Sequence, residues 1–367
     1  MNVLITGSEG FIGKNLKIFL SQKKINIFTF DREDSEQKLH ENILKCDVIC
    51  HLAGENRPKN RKLFYINNTL LTDKICNFLI NKKKRKKIIF TSTTKINDNS
   101  LYAKSKKQCE KILLNYKRLT KANISILRFP NVFGKWSRPN YNSVVATFCY
   151  NISRKKSVKV FNKTEKINLL YIDDAIEQIY ETILTSKKYN YPNILKVNKI
   201  KVSSIAKKLI YFNDILKRNH LNDFTNTLDE NLFSTFISFL PKRSFFFKNK
   251  SHYDQRGNFI EFSKNQKFGQ FSVFTIKKKK ERGGHFHHSK VEKFLIIKGS
   301  AKLIYRNIKD NSKIVKNIKS SDTIIFYSIP GWVHTIKNIG NDEIVGIVWA
   351  NEIFNKQKTD TYYLNEE

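Results

Sequence analysis

The first thirteen residues constrain this chain more than any other stretch, because they place a strand, a glycine turn and a helix in immediate succession. The apolar residues 2–5 predict a short strand, and glycines then recur every third residue, at Gly7, Gly10 and Gly13. In such a turn the first glycine permits a tight bend, the second lets the backbone approach a pyrophosphate, and the third allows the helix to pack on the strand. The helix N-terminus also offers free N–H groups to an anion. The pattern predicts a dinucleotide-binding site.

The chain length and the cysteines indicate the general class of protein. A length of 367 residues predicts two domains, because a single core rarely grows beyond about 250 to 300 residues. No apolar run long enough to span a membrane occurs and no basic leader precedes the first strand, so we expect neither a membrane span nor a secretory signal. The five cysteines include no C-x-x-C pair, which indicates reduced thiols. We expect a cytoplasmic protein.

The chain carries a large excess of basic residues. Lys and Arg total 68 against 32 Asp and Glu, which gives a formal net charge of +36. Such an excess is typical of nucleic-acid-binding surfaces, but here the lysines are spread along the chain among Asn, Ile and Phe, as biased codon usage would produce. We therefore interpret them as solvated faces and expect no nucleic-acid partner. The positive field should still attract anionic ligands such as sugar nucleotides.

Strand and helix patterns alternate after the glycine turn, which predicts a parallel sheet covered on both sides. The second predicted strand, residues 25–30, ends at Asp31 and Arg32. A carboxylate there would bind the ribose 2′-hydroxyl of NAD, whereas an arginine would accept the 2′-phosphate of NADP. These two residues alone leave the cofactor open. The third predicted strand, residues 48–52, is followed by a turn with the small residues Ala53 and Gly54, which leave room for the adenine side of a cofactor.

The predicted chemistry centres on Tyr102 and Lys106, which share one helix face because they are four residues apart. A nearby ammonium should lower the pKa of the tyrosine from its usual value of about 10. Tyr102 would then serve as the proton donor to a ketone that receives a hydride. A hydroxyl at the end of the preceding strand, Thr93 by preference and Ser92 second, would hold the carbonyl oxygen.

These motifs together resemble the extended short-chain dehydrogenase/reductases. The matching stretches are T-G-x-x-G-x-x-G from Thr6, H-L-A-G up to Gly54, Asn68 with Thr72, Y-x-x-x-K, and R-F-P-N-V-F-G from Arg128. The resemblance implies a Rossmann fold and action on nucleotide sugars. It also implies that the nicotinamide cofactor is bound by Thr6, Gly7, Gly10, Phe11, Ile12, Gly13, Asp31, Arg32, Leu52, Ala53, Gly54, Asn68, Tyr102 and Lys106. Only ten residues separate Ser92 from Tyr102, so which hydroxyl acts stays open.

The part that follows this motif is expected to bind the substrate. The loop 135–143 is rich in hydrogen-bond donors and carries an aromatic plane, features that suit a uracil or a sugar with its diphosphate. An ordinary surface loop is the alternative interpretation. The predicted substrate-binding residues are Arg128, Asn131, Lys135, Trp136, Arg138 and Asn142.

The character of the chain changes near Pro241. A basic, phenylalanine-rich connection is followed by short alternating strands separated by Gly, Asn and Asp, as in an antiparallel sandwich or barrel. We therefore divide the chain into a reductase domain with its substrate-binding part, residues 1–243, and an all-β domain, residues 244–367.

The second domain contains a candidate metal site. His285 and His287 point to one face of a strand, Glu292 returns to it a hairpin later, and His334 supplies a third imidazole. Such a set suits zinc or another divalent first-row metal with open positions for substrate. The H-x-H-x4-E-x6-G spacing resembles the cupins, which implies a jelly-roll barrel. A histidine base without metal, or plain packing, is the alternative.

A reductase joined to a cupin resembles the bifunctional enzymes of capsular polysaccharide synthesis. That resemblance implies C3 epimerisation of UDP-2-acetamido-2,6-dideoxy-4-hexulose in the cupin. Reduction of the C4 ketone would follow in the first domain with NADPH, NADH being possible, and would give UDP-2-acetamido-2,6-dideoxy-L-talose for UDP-N-acetyl-L-fucosamine. We also expect a homodimer.

Two other classes of function stay open. One is a C4 reductase whose cupin is only a dimerisation module, and the other is a redox-sensing nucleic-acid binder without catalysis. The intact set of Tyr102, Lys106 and Thr93 speaks against the sensor. The intact set of His285, His287 and Glu292 speaks against a purely structural cupin.

Overall fold

The protein is described from a computed structural model. The structure describes residues 1–56, 60, 64–187, 190–218, 220–221, 223–224, 226–246, 249–355, 357 and 359–363. The chain separates into two compact units. The first comprises Met1–Ile210 and Asn226–Pro241, and the second comprises Tyr211–Thr225 and Lys242–Glu367. The predicted division at residue 243 does not anticipate the discontinuous segment 211–225, and as a boundary between independently folding domains it stays a prediction.

The first unit contains a five-stranded parallel sheet. Its strands are β1 (Asn2–Thr6), β2 (Asn26–Phe30), β3 (Val48–His51), β4 (Lys87–Thr93) and β5 (Ile124–Phe129). Their order is β2-β1-β3-β4-β5, and every neighbouring pair is parallel. The chain therefore places β2 on one side of β1 and then crosses over to place β3 on the other side of β1. Ligands of such sheets bind at this switch point, beyond the carboxyl ends of the strands.

Helices cover both faces of the sheet, and β1 shows why the sheet must be covered. Leu4 belongs to one hydrophobic core, while Val3 and Ile5 belong to a second core on the other face. Strands with two buried faces are typical of parallel sheets. The α-helices of the chain are α1 (Phe11–Ser21), α2 (Glu36–Lys45), α3 (Leu71–Asn81), α4 (Leu101–Thr120), α5 (Val144–Ser153), α6 (Ile172–Leu184), α7 (Val202–Lys217) and α8 (Thr227–Ser238).

A smaller sheet completes the first unit. It joins β6 (Asn131–Phe133) in parallel to β7 (Lys166–Tyr171), and β7 pairs antiparallel with β8 (Asn198–Lys201). No α-helix that we describe is long and apolar enough to cross a membrane. All five cysteines are buried and free.

The second unit consists of two antiparallel sheets. Their strands are β9 (His252–Asp254), β10 (Gly257–Asn265), β11 (Gly269–Ile276), β12 (Glu281–Phe286), β13 (Glu292–Lys298), β14 (Ser300–Asn307), β15 (Lys313–Lys319), β16 (Ile325–Tyr327), β17 (Trp332–Asn338), β18 (Ile344–Ala350) and β19 (Tyr362–Tyr363). The sheet orders are β16-β13-β18-β11-β10-β9 and β15-β14-β17-β12-β19. One core between them includes Phe294 and Val348 from the first sheet and Leu303 and Ile336 from the second. The predicted fold class, a parallel α/β part followed by an all-β part, is confirmed.

Candidate functional sites

The glycine turn lies at the switch point of the parallel sheet and tolerates no side chain at two positions. Gly7 has φ +72°, and a Cβ added there would lie 2.7 Å from the Ala53 Cα. A Cβ on Gly13 would lie 2.0 Å from the Gly7 carbonyl oxygen. Because real Cβ atoms do not approach so closely, the turn after β1 is packed directly against the loop after β3. The approach of a pyrophosphate to Gly10 and the binding of a cofactor by Gly7 and Gly13 stay predictions.

A buried polar link fixes the end of β1 beneath this turn. The Thr6 Oγ1 lies 2.7 Å from His51 Nδ1 and accepts a hydrogen bond from the Ala53 N–H at 3.3 Å. Burial lowers the pKa of His51 to about 3, so the imidazole is neutral and serves as a connector. The predicted cofactor residues Phe11, Ile12 and Leu52 are partly buried and pack against the second core of the sheet.

The two residues at the end of β2 are held by different partners. Asp31 accepts hydrogen bonds from the Glu9 N–H at 3.0 Å and from the Ser8 hydroxyl. Arg32 donates from Nη2 to Glu55 Oε2 at 2.6 Å. The Asp31 carboxylate therefore supports the glycine turn from outside, whereas the Arg32 guanidinium, with 69% of its side chain exposed, lies beside the loop after β3.

Three segments meet around Gly54. The predicted Asn68 lies in a π-helical turn, Tyr65–Leu70. Its Oδ1 accepts from the Glu55 N–H at 2.7 Å, and its Nδ2 donates to Ser105 Oγ on α4 at 2.9 Å. A Cβ on Gly54 would lie 3.1 Å from Lys106 Nζ. The loop after β3, the π turn and α4 are thus brought together as the cofactor prediction requires.

Helix α4 carries Tyr102 and Lys106, and Ser100 caps its start by accepting from the Ala103 N–H at 3.1 Å. Lys106 is buried and donates to the Thr91 carbonyl of β4 at 2.9 Å. Its Nζ also lies 4.4 Å from the centre of the Phe90 ring. Burial lowers the pKa of Lys106 to about 8. The lysine therefore fixes the helix against the end of β4.

The pKa of Tyr102 differs from the prediction. Burial, with smaller contributions from Cys109 and Tyr141, raises the pKa of Tyr102 to about 12. The expected lowering by Lys106 is wrong, because desolvation of the phenolate outweighs the ammonium, whose hydrogen bond goes to a backbone carbonyl. A tyrosine with a raised pKa is fully protonated at neutral pH, so Tyr102 is present in the form that a proton donor needs.

The two candidate hydroxyls have different environments. Thr93 Oγ1 accepts from the Lys95 N–H at 3.1 Å and keeps its own proton free to donate. The Ser92 hydroxyl donates to the Glu110 carboxylate at 2.6 Å. This arrangement favours Thr93 over Ser92 as the group that holds a carbonyl oxygen, although the role of either hydroxyl stays a prediction.

Arg128 is part of a buried ion-pair network. Its Nε and Nη2 donate to the two Glu110 oxygens at 3.0 and 2.5 Å. The guanidinium stacks on Tyr191, 4.4 Å from the ring centre, and the Tyr191 hydroxyl donates to the same carboxylate at 3.3 Å. Glu110 lies on α4, two turns beyond Tyr102. Arg128 thus connects β5 to the helix that carries Tyr102, and its predicted contact with substrate stays a prediction.

The remaining predicted substrate residues fall into separate groups. Lys135 pairs with Asp173 at the start of α6. Trp136 is half-exposed at φ +65° and lines a cavity of about 340 Å³ beside α1. The Asn131 side chain donates to the Asn168 carbonyl at 3.1 Å, and Asn142 is exposed.

Arg138 belongs to a group of side chains that reaches the loop after β3. Its guanidinium lies 5.1 Å from the Tyr141 ring centre, and the Tyr141 hydroxyl contacts Glu55 Oε1 at 3.5 Å. Sequence reasoning missed Glu55 and Tyr141, although one directly follows the H-L-A-G motif and the other lies inside the predicted loop. Glu55 and Tyr141 are 86 residues apart in the chain, so no local sequence pattern indicates their contact.

In the second unit, His285, His287, Glu292 and His334 form one cluster. One ligating atom from each residue can be chosen so that all four lie within 4.8 Å of one another. The Glu292 Oε2 is 3.3 Å from His287 Nε2 and 3.5 Å from His334 Nε2. The predicted set is thus brought together in space.

A β-bulge directs His285 into this cluster. The pairing of β12 with β17 shifts between Gly283 and His285, so that His285 comes opposite His334. Gly283 has φ +104°, and a Cβ there would lie 2.2 Å from the His334 carbonyl oxygen. Only glycine fits at this position, which explains the G-G-H order in the sequence.

The hydrogen bonds of the cluster fit a divalent cation. The His285 Nδ1–H donates to the Gly283 carbonyl at 3.2 Å, and the His287 Nδ1–H donates to the Asp360 carbonyl. A carbonyl can only accept, so each ring carries a proton on Nδ1 and turns Nε2 inward. For His287 this nitrogen lies 3.3 Å from a carboxylate oxygen of Glu292. Converging acceptors whose outer N–H groups bind carbonyls are typical of metal sites.

The charges of the cluster agree with this fit. Burial, and then the neighbouring His334, lower the pKa of His285 to about 4, so this imidazole is neutral. Burial would raise the pKa of Glu292, but hydrogen bonds from His287 and His334 and the Lys290 ammonium at 3.0 Å outweigh it and lower the pKa strongly. The cluster therefore presents a neutral His285 and an anionic Glu292, the protonation states that metal ligands need.

Comparisons with known proteins identify relatives that cover nearly the whole chain. Residues 252–362 match the polysaccharide biosynthesis C-terminal domain. A Pseudomonas aeruginosa protein described as UDP-2-acetamido-2,6-beta-L-arabino-hexul-4-ose reductase is 39% identical, over 99% of this chain and 98% of that protein. A crystal structure of the Staphylococcus aureus capsular polysaccharide assembling protein CapF superposes with a TM-score of 0.92 at 34% identity, over 99% of this chain and 100% of that one.

A more distant structure matches only part of the chain. The UDP-glucuronic acid 4-epimerase of Bacillus cereus, solved in complex with NAD, is 18% identical with a TM-score of 0.57, over 65% of this chain and 96% of that one. At this identity the likeness concerns the fold alone. The family itself follows from residues 3–194, which match the NAD dependent epimerase/dehydratase family. The chain therefore belongs to the NAD dependent epimerase/dehydratase family and, over its whole length, to the CapF-like proteins that continue into a polysaccharide biosynthesis C-terminal domain.

Proposed function

We propose that this chain is a bifunctional cytoplasmic enzyme of nucleotide-sugar synthesis. Its second unit epimerises C3 of UDP-2-acetamido-2,6-dideoxy-4-hexulose, and its first unit reduces the C4 ketone with NADPH. The product is UDP-2-acetamido-2,6-dideoxy-L-talose, a precursor of UDP-N-acetyl-L-fucosamine. The observation that carries the proposal is the alignment of 99% of this chain with a relative named as a hexul-4-ose reductase, together with a candidate site in each unit.

In the reduction, the residues of the glycine turn would hold NADPH, which would supply the hydride. Tyr102 is protonated at neutral pH because its pKa is raised to about 12, so it gives its proton to the C4 oxygen as the hydride arrives. The phenolate that remains would be buried and costly. The Lys106 ammonium, four residues along the same helix face, offsets that charge. The Thr93 hydroxyl holds the carbonyl oxygen beforehand.

The preference for NADPH rests on the two residues that end β2. Both oxygens of Asp31 already accept hydrogen bonds from the glycine turn, which makes the carboxylate a poorer partner for a ribose hydroxyl. Arg32 is mostly exposed and its only described ion pair is with Glu55. A 2′-phosphate, which an arginine can bind through two parallel hydrogen bonds, competes well for that guanidinium.

The epimerisation requires a base that removes the C3 proton and a group that stabilises the adjacent carbonyl. We propose that His285, His287, Glu292 and His334 hold zinc or another divalent first-row metal, since imidazole and carboxylate ligands suit such ions. A cation there would act as a Lewis acid toward a carbonyl oxygen. The residues themselves contribute a cluster in which His287 and His334 are buried and His285 and Glu292 are partly buried.

We further propose a homodimer formed through the outer face of the larger sheet of the second unit. Ile325, Leu295, Ile347 and Val273 form a row across four adjacent strands. Ile325 is 52% and Ile347 is 39% exposed, and such a continuous apolar row is typical of an interface between subunits. A molar mass of a single chain by light scattering at micromolar concentration would contradict this assembly.

The decisive experiment separates the two sites with His287→Ala. The variant and the wild type are incubated with the 4-keto UDP-sugar in deuterated water, with and without NADPH. We expect the variant to lose deuterium incorporation at C3 while it still binds NADPH at the glycine turn. A substrate already inverted at C3 should restore NADPH oxidation. Exchange at the wild-type rate would instead make the second unit an assembly module of a simple C4 reductase.

A further inference from the structure

We infer that Asp360 is a positioning residue of the metal cluster, an inference that rests on the metal centre proposed above. Its carboxylate accepts four hydrogen bonds from one short turn. The donors are the N–H groups of His288 at 2.9 Å, Ser289 at 2.7 Å and Lys290 at 2.7 Å, and the Ser289 hydroxyl at 3.0 Å. This turn is the segment that connects His287 to Glu292.

The same residue also orients one ligand directly. The main-chain carbonyl of Asp360 accepts the Nδ1–H of His287. That bond fixes the proton of the ring on Nδ1 and directs Nε2 toward Glu292, which is 3.3 Å away. Because the carboxylate holds the turn and the carbonyl holds the ring, one residue sets both the spacing of two ligands and the tautomer of one of them.

The strand that follows Asp360 anchors it from the other side. Strand β19 pairs antiparallel with β12, with Tyr363 opposite His285 and Tyr362 opposite Phe286. The Tyr363 ring lies 5.5 Å from the His285 ring in an edge-to-face contact. The segment 360–363 therefore contacts two histidines of the cluster and the turn that leads to its carboxylate. We call this segment the C-terminal strap.

This arrangement gives the strap a role beyond closing a sheet edge. Outer partners that fix the orientation of metal ligands are typically worth about 10- to 100-fold in metal affinity. A strap that only covered an edge would affect unfolding but would not change the affinity or coordination of a bound ion. The affinity and the spectrum of a bound metal therefore distinguish positioning from packing.

The test uses the full-length protein with Asp360→Ala and Asp360→Asn. The amide oxygen of Asn can still accept hydrogen bonds from the turn, but without the charge that strengthens them. The matched control is Asp310→Ala, which removes a carboxylate that caps another turn of the same unit by accepting from the Ser312 N–H at 2.9 Å. Zinc affinity is measured by competition with a chromophoric chelator, and the cobalt(II) form is examined by visible absorption.

We expect Asp360→Ala to bind zinc about 10- to 100-fold more weakly and to shift the cobalt(II) spectrum, with Asp360→Asn intermediate and Asp310→Ala unchanged. Circular dichroism of the metal-free variants checks that they are folded. Wild-type zinc affinity and an unchanged spectrum in folded Asp360→Ala would overturn the positioning role alone. If the wild type itself binds neither ion, the proposed metal centre fails, and the positioning role fails with it.

Discussion

Replacing Arg128 with Met tests whether this residue braces the catalytic helix or contacts the substrate. The substitution keeps most of the apolar volume and removes the guanidinium. It leaves Glu110, whose side chain is only 5% exposed, with the Ser92 and Tyr191 hydroxyls as its described donors. A buried carboxylate that loses its cation is destabilised, so we expect Arg128→Met to lower the free energy of unfolding.

The size of the effect follows from the burial of the two partners. Removing one member of a fully buried pair costs about 3 to 5 kcal/mol. The Arg128 side chain is 38% exposed and water therefore screens part of its charge, so we expect a loss of about 2 kcal/mol. For a unit of this size that loss corresponds to a fall in Tm of about 4 to 8 °C.

Urea unfolding followed by far-UV circular dichroism measures this loss, because every α-helix that we describe begins in the first unit. Glu110→Gln and the double variant complete a cycle, and their coupling should be about 1 kcal/mol or more. Arg138→Met is the control, since this exposed arginine stacks on Tyr141 without a buried carboxylate. Wild-type stability together with a raised KM for the UDP-sugar in Arg128→Met would refute the brace and favour a substrate contact.

Three further outcomes are expected for the reductase site. Tyr102→Phe should lower kcat for NADPH oxidation by about 10²- to 10⁴-fold with unchanged circular dichroism, and a loss within a few-fold would exclude Tyr102 as the proton donor. The pKa of Lys106 is lowered to about 8, so its ammonium is lost as the pH rises through that value. We therefore expect kcat to fall above about pH 8. A profile of kcat that stays flat up to pH 10 would contradict the role of Lys106 in offsetting the Tyr102 phenolate. In calorimetric titration, Arg32→Ala should weaken NADPH binding by about tenfold, or about 1.4 kcal/mol, and leave NADH binding nearly unchanged. Equal losses for both cofactors would show that Arg32 does not recognise the 2′-phosphate.

Features encoded over short distances were predictable from the sequence. The spacing of Gly7 and Gly13 carries part of its own steric reason, because Gly7 has a positive φ and a Cβ on Gly13 would meet the Gly7 carbonyl oxygen in the same turn. The helix face shared by Tyr102 and Lys106 follows from four-residue periodicity. The shared side of two clustered histidines was predictable for a similar reason, since alternation along an extended segment places His285 and His287 on one face.

Features that depend on contacts between distant segments were not predictable. The partner of Arg128 is Glu110, which lies on α4, 18 residues earlier in the chain. The sequence does not indicate whether an arginine will face a carboxylate or a ligand. The pKa of Tyr102 depends on burial, which no spacing reports. Asp360 lies 73 residues from His287, so its hydrogen bonds to the metal cluster appear only in the folded chain.

The discontinuous second unit limits how this protein can be divided or recombined. The chain passes between the units near residues 210, 225 and 241. The Leu221 N–H donates to the Lys264 carbonyl, and the Leu221 carbonyl accepts from the Asn265 side chain, each at 2.9 Å. A gene fragment that stops at residue 241 would retain Leu221 and discard both of these partners. Exchange of the second unit between relatives therefore requires two gene segments to be replaced together. A single crossover would pair the segment after α7 from one parent with strand β10 from the other.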